Sequence, residues 1–416
     1  MQSCAGTTTI AKALTSKPQS RIRIHTGLPY ELVLSILEHA YFVFSSSTKL
    51  GGWTPDFETL SSCSLVCGVW RNAAQRLLFH EILHINPRFI DAIRSGCERA
   101  LALAENIRRL ELRIYHILPA SLSGGRFGVD DFLTVLAACR KLYEITLRTD
   151  GLHSFDKGAM DKLRALSDER SSLSSVVALN LMSFGTQSPI LYQLLSVMRA
   201  VRYLRVGTEL AAPCPPEPCP VHLYELALFR TPSNARNVQW LLSSSEGHLR
   251  VLEFRDTPGR CYDPLLSIHG PNIRSFRILR QEMRSASIFQ LCPNMEELII
   301  YQFSDIIPIR NIPTSVRHLS FRYSPWAENN TLRPVVEAVE RLPSLHLVSC
   351  NEETEKHPHF QMLKAKCREK NVRLRVDAPP VFIRDDPIPL RDESRWKCVA
   401  NFPLMNLHTS TVESDR

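Results

Sequence analysis

The chain has 416 residues, 44% of them hydrophobic, and a formal net charge of +8. That is enough apolar material for a large buried core and enough length for more than one domain. The mild positive balance accommodates an acidic partner and gives no ground for nucleic-acid binding. No apolar run reaches the ~20 residues that a bilayer-spanning helix needs, so no membrane role is expected.

Residues 1–24 read as a disordered leader. Residues 1–30 contain no acid and carry Lys12, Lys17, Arg21 and Arg23, so organelle targeting stays open as an alternative. No secretory signal is visible, and the 12 Cys are scattered inside apolar strings, which suits reduced thiols in an intracellular compartment, cytoplasm or nucleus.

Residues 28–79 hold two apolar blocks. Leu28, Pro29, Leu32, Ile36 and Leu37 form the first, with helical spacing after a proline suited to a first turn. Leu60, Leu65, Val66, Cys67 and Trp70 form the second, on what reads as a further helix ending near Phe79. Between them, Ser45 to Asp56 carries Gly51-Gly52 and Thr54-Pro55-Asp56, which are loop signals and predict a surface insertion. The run Leu28-Pro29, Glu31-Leu32, Ile36, then Leu60, Cys63-Ser64-Leu65-Val66-Cys67 and Trp70-Arg71 resembles the F-box. The resemblance implies a small helical domain over 25–95 that docks on the adaptor subunit of a cullin–RING ubiquitin ligase, reaching the cullin indirectly. It assigns adaptor binding to Leu28, Pro29, Leu32, Ile36, Leu37, Leu65, Val66, Cys67 and Trp70.

Two metal-like spacings overlap this block. His80-Glu81-Ile82-Leu83-His84 spells the H-E-x-x-H signature, which needs both imidazoles on one helix face. Pro87 leaves little helix for it. Cys63, Cys67, His80 and His84 match the spacing of a two-Cys, two-His zinc finger, but the aromatic expected four residues after Cys67 is Arg71. No cofactor or metal is therefore expected, with zinc at these four residues as the alternative.

From residue 107 a pattern recurs, with apolar residues at offsets 0, +3 and +5. It runs Ile107/Leu110/Leu112, Leu142/Ile145/Leu147, Val176/Leu179/Leu181, Val201/Leu204/Val206, Leu223/Leu226/Leu228, Leu249/Leu252/Phe254, Ile273/Phe276/Ile278, Met295/Leu298/Ile300, Val316/Leu319/Phe321 and Leu342/Leu345/Leu347. Offsets +3 and +5 lie on one face of a strand. Amphipathic segments at Asp130–Leu142, Ile190–Val201 and Pro334–Leu342 predict helices between strands, the first capped by Asp130. This resembles the leucine-rich repeat, although of the residues three places beyond the last anchor, where that family prefers Asn or Cys, only Cys350 fits. A doubly wound α/β sheet is the alternative, but its strands would be longer apolar runs. The expected fold is α+β: a small helical F-box, then an α/β leucine-rich-repeat solenoid of about ten irregular repeats over 96–376, and a Pro-rich tail over 377–416. Asn371–Val376 alternates and reads as a capping strand. Residues 168–175 and the Pro-rich 211–220 read as loops.

No nucleotide-binding or nucleophile-elbow motif occurs, so the chain is expected to perform no chemistry. In a leucine-rich repeat the concave positions are +2, +4 and +6. These columns nominate Arg113, Arg148, Arg205, Phe229, Arg255, Arg277, Tyr301 and Arg322 as a surface for a protein target, acidic or phosphorylated. Glu144, Glu225 and Glu297 in the +2 column are placed to neutralise it. The function implied is a ligase substrate receptor, with a repeat scaffold lacking a ligase role as the alternative.

Overall fold

The computed structural model describes residues 28–40, 42–45, 52–115, 127–167, 172–280, 282–302, 309–322 and 331–376. The leader over 1–24 and the tail over 377–416 lie outside them.

Three helices open the described residues: α1 (Tyr30–His39), α2 (Phe57–Cys63) and α3 (Gly68–Leu78). Pro29 is the cap residue of α1 rather than part of its first turn. Asp56 caps α2, its carboxylate accepting from the Thr59 N–H at 2.9 Å. Part of the expected surface insertion is ordered as an antiparallel hairpin, β1 (Phe42–Ser45) with β2 (Gly52–Pro55). The two apolar blocks meet: Val33 and Leu37 of α1, Leu60 of α2, and Ala73, Ala74 and Leu77 of α3 form one closed core, with Trp70 packed at its margin. Burying each large aliphatic side chain here is worth about 1.5–3 kcal/mol.

The rest is one parallel sheet. Its strands are β3 (Glu81–Ile82), β4 (Arg109–Tyr115), β5 (Glu144–Asp150), β6 (Ala178–Ser183), β7 (Tyr203–Val206), β8 (Glu225–Leu228), β9 (Val251–Phe254), β10 (Ser275–Arg280), β11 (Glu297–Gln302), β12 (His318–Phe321), β13 (Leu347–Cys350) and β14 (Arg373–Val376). Each strand pairs in parallel with its sequence neighbours, β3 through β14. That order is a solenoid and rules out a doubly wound sheet, whose strand order reverses at a switch point. Helices α4 (Pro87–Arg94), α5 (Glu98–Ala104), α6 (Val129–Ala138), α7 (Lys157–Ala165), α8 (Ile190–Val197), α9 (Arg236–Leu242), α10 (Asp263–His269), α11 (Ser285–Leu291), α12 (Arg333–Arg341) and α13 (Phe360–Glu369) connect the strands. The +3 and +5 side chains and the helices' apolar faces share one continuous core.

Three expectations change. Ile90 and Ile93 of α4 belong to the solenoid core, and β3 is its first strand, so the helical unit ends near residue 80 rather than 95. The α6 cap is formed by Asp131, whose Oδ2 accepts from the Gly128 N–H at 2.8 Å, and not by Asp130. The tenth repeat is displaced by three residues: Leu319 pairs with Val348, and Phe321 sits level with Cys350, so the anchors are Leu345, Val348 and Cys350. Cys350 is thus a core +5 residue and not the Asn-equivalent. Leu342 misleads because it is the C-cap of α12, three residues before the anchor. The same buried cap recurs at Cys139, Met198 and Cys292, where the N–H of the residue three places on donates back to the cap carbonyl.

A backbone ladder replaces the missing Asn column. The carbonyl of the residue just ahead of each strand from β3 to β12 accepts from two N–H groups of the next coil. His80 O takes Arg108 N and Arg109 N at 2.9 and 3.0 Å, and Arg250 O takes Arg274 N and Ser275 N at 2.8 and 3.0 Å. Tyr143, Val177, Arg202, Tyr224, Arg274, Glu296 and Arg317 repeat the arrangement. It satisfies the coil-to-coil backbone groups without a side chain. The expected loop over 168–175 ends in a 3-10 turn, Ser172–Ser175, and the Pro-rich 211–220 has no regular structure, with Cys214 and Cys219 as free thiols.

Candidate functional site

The helical unit closes its core without the residues named for adaptor docking, except Leu37 within it and Trp70 at its margin. Leu28, Leu32 and Ile36 project from the start and outer face of α1, each 41–51% exposed. Leu65 and Val66, on the turn between α2 and α3, are 80% and 60% exposed. Pro29 is also exposed. Leu37 is 1% exposed and belongs to the core, because it is one residue beyond Ile36 and turns through about 100° to the packed face. Cys67 is the half-buried cap of α3. Trp70 is half-buried against the core, with its indole Nε1 shielded and without an acceptor among the described residues. Phe57 and Val69 are also exposed apolar side chains. The sequence reading missed both, since neither falls on the spacing it followed.

The zinc alternative does not assemble. Among the described residues no three His, Cys, Asp or Glu side chains converge as metal ligands would. His80 and Glu81 lie at a turn and on β3, not on a helix. His80 is buried, and desolvation, with Arg109 and Arg108 nearby, lowers its pKa to about 3. His84 is exposed.

The concave columns are less open than their sequence positions imply. Arg277 is fully buried, 3.7 Å from Glu253 and 3.5 Å from Glu297. Arg205 lies 3.2 Å from Glu225, which is itself buried. Arg109, at a +2 position, sits 3.6 Å from Glu144. Strand neighbours in parallel register stand about 4.8 Å apart, so an Arg and a Glu on adjacent coils meet side by side. At the +6 edge, Arg113 pairs with Asp150 and Arg148 with Glu111 at 3.1 Å. These four, with Leu83, His84 and Tyr115, line a cleft of about 520 Å³, and the Arg113 guanidinium lies 5.2 Å from the Tyr115 ring centroid. Arg255 is exposed and has no ion pair among the described residues. Phe229 and Arg322 are half-buried beyond β8 and β12, and Tyr301 lies within β11. The structure therefore assembles these residues along one sheet, but as charge-balanced rows rather than a field of free arginines.

No protein-family model matches the chain, and no curated protein matches it. Among solved structures, the crystal structure of the leucine-rich-repeat-containing protein LegL7 from Legionella pneumophila is similar, with a TM-score of 0.40 and 13% identity, covering 64% of this chain and 89% of that chain. The solenoid assignment rests on the strand order, register and ladder. No helix among the described residues is long and apolar enough to cross a membrane.

Proposed function

We propose that the chain is the target-binding subunit of a cullin–RING ubiquitin ligase, its N-terminal helical unit docking on the adaptor and its solenoid holding a protein target. The observation that carries this reading is the exposure of Leu28, Leu32, Ile36, Leu65 and Val66 on a unit whose own core is already complete. Exposed apolar side chains gathered on so small a unit mark an interaction surface, and these are residues through which the F-box resemblance would place the adaptor. On this reading the chain catalyses nothing. It raises the effective concentration of a target lysine near the charged conjugating enzyme.

The test is co-expression of the full chain with the ligase adaptor. The natural chain is expected to co-purify one-to-one with the adaptor. A Leu65→Asp, Val66→Asp variant is expected to lose at least tenfold in affinity while keeping its unfolding midpoint. Absence of binding by the folded natural chain overturns the ligase role and leaves a repeat scaffold, the second reading, for which the continuous sheet with lateral clefts speaks.

A further inference from the structure

Along the sheet Arg109, Arg113, Arg148, Arg205, Arg274, Arg277 and Arg317 each have a carboxylate partner. A different balance holds at the edge where the chain enters β5 to β9. There a cleft of about 700 Å³ runs across five coils. Arg199 and Arg202 stand at it, both exposed, and neither has an ion pair among the described residues. Among the described residues no carboxylate lines the cleft.

Aromatic rings form the rest of the wall. Tyr203 and Tyr224 lie 5.8 Å apart between ring centroids, tilted by 57°. Tyr224 is 40% exposed, whereas Tyr203 is buried with Tyr143 and Ala178 in a small cluster of its own, outside the main core. The rings of His222 and His248 are 5.1 Å apart, and the His222 Nδ1–H donates to the Ser244 carbonyl, which fixes that ring. The edge itself is firm, because the carbonyls of Tyr143, Val177, Arg202 and Tyr224 are the rungs of the backbone ladder.

Two unpaired guanidinium groups select a doubly charged oxyanion, to which each can donate two parallel hydrogen bonds. A bare oxyanion leaves the exposed face of Tyr224 and the half-buried Val177 wet. A planar ring covers them and gains offset stacking on Tyr224. We propose that this edge cleft binds an aryl phosphate, presented as a phosphotyrosine side chain of a partner protein, with the phosphate between Arg199 and Arg202 and the ring against Tyr224 and Tyr203. The cleft is several times the volume of one side chain, which leaves room for the residues flanking the phosphotyrosine. The site is independent of adaptor docking and stands whether or not the ligase reading holds.

The test uses the full chain and calorimetric titration with N-acetyl-phosphotyrosine amide, N-acetyl-phosphoserine amide, N-acetyl-tyrosine amide, adenosine monophosphate and inorganic phosphate. The phosphotyrosine probe is expected to bind at least tenfold more tightly than any of the others. Arg199→Glu with Arg202→Glu is expected to remove that binding at an unchanged unfolding midpoint, and the paired Gln substitutions to weaken it at least tenfold. Tyr224→Ala is expected to erase the preference over inorganic phosphate. No binding, equal binding of phosphoserine or inorganic phosphate, tighter binding of the nucleotide, or undiminished binding by the folded arginine variants would each overturn the proposal.

Discussion

Arg277 and Glu297 lie on adjacent strands 3.5 Å apart, and both side chains are closed off from solvent. Glu297 Oε2 also accepts from His318 Nδ1 at 3.0 Å, His318 Nε2 contacts Ser349 Oγ at 2.6 Å, and Ser275 Oγ donates to Glu297. Burial by itself would raise the carboxyl pKa. The hydrogen bond from His318 and the charge of Arg277 outweigh it and hold the pKa near 2, against an ordinary 4.5. Glu297→Gln leaves the guanidinium buried without this counter-charge, and breaking such a pair costs about 3–5 kcal/mol. Urea unfolding at neutral pH measures that loss.

The same carboxylate and His80 set two windows of acid sensitivity. The depressed Glu297 pKa adds stability that is present above about 4.5 and is lost as the pH falls toward about 2. His80 is held neutral with a pKa near 3, while the unfolded chain takes up that proton below about 6.5. Stability therefore falls from about pH 6.5 downward and levels off below about 3 on its account. A His80→Leu variant is expected to flatten the upper window and leave the lower one in place, as read from unfolding free energy against pH.

Gly207 and Gly68 are expected to respond oppositely to alanine. A Cβ at Gly207 would collide with the Met182 backbone carbonyl on the neighbouring coil, whereas Gly68, at the first position of α3, has open space around it. Gly207→Ala is expected to cost about 1–3 kcal/mol, and Gly68→Ala to be neutral or to stabilise by up to about 1 kcal/mol. Thermal unfolding of the two variants side by side decides this.

Thiol labelling should separate the cysteines by depth. Cys97 and Cys261 are exposed, while burial pushes the Cys139 and Cys292 thiols up to about 12. Only thiolates react. Brief treatment of the native chain with iodoacetamide is expected to modify Cys97 and Cys261 and to spare Cys139 and Cys292 until denaturant is added, as read by peptide mass.

The repeat strands were legible because each has two anchors two residues apart that face one core, and that spacing survives irregular loops. Leu342 defeated the reading because a buried helix cap stands three residues before an anchor, the same interval that separates the first two anchors. The strand β3 was hidden, with only Glu81 and Ile82 in pairing. Helix α1 was legible by its spacing, but separating Leu37 from Ile36 required knowing which face packs on α3. Glutamates in the +2 column announced the balance of Arg205 by Glu225 and of Arg277 by Glu297, but which Arg meets which Glu depends on register between coils some 20 residues apart in sequence. The edge cleft went unread for the same reason, since Tyr143, Arg202 and Tyr224 come from three different coils.

At five coils a recurring helix-to-strand turn sets a ruled side against an unruled one. Five residues separate α6 from β5, α8 from β7, α10 from β10, α11 from β11 and α12 from β13, and the first four of these turns end on a ladder rung. From strand to helix the intervals differ widely: residues 116–128 lie between β4 and α6, 151–156 between β5 and α7, and 322–332 between β12 and α12. New chain can therefore be spliced in at one margin without disturbing the pitch, as with a book that takes extra leaves at its fore-edge but not at its binding. Novel recognition loops would arise on the margin of Arg113, Arg255 and Arg322, while at those five coils the opposite margin keeps its spacing.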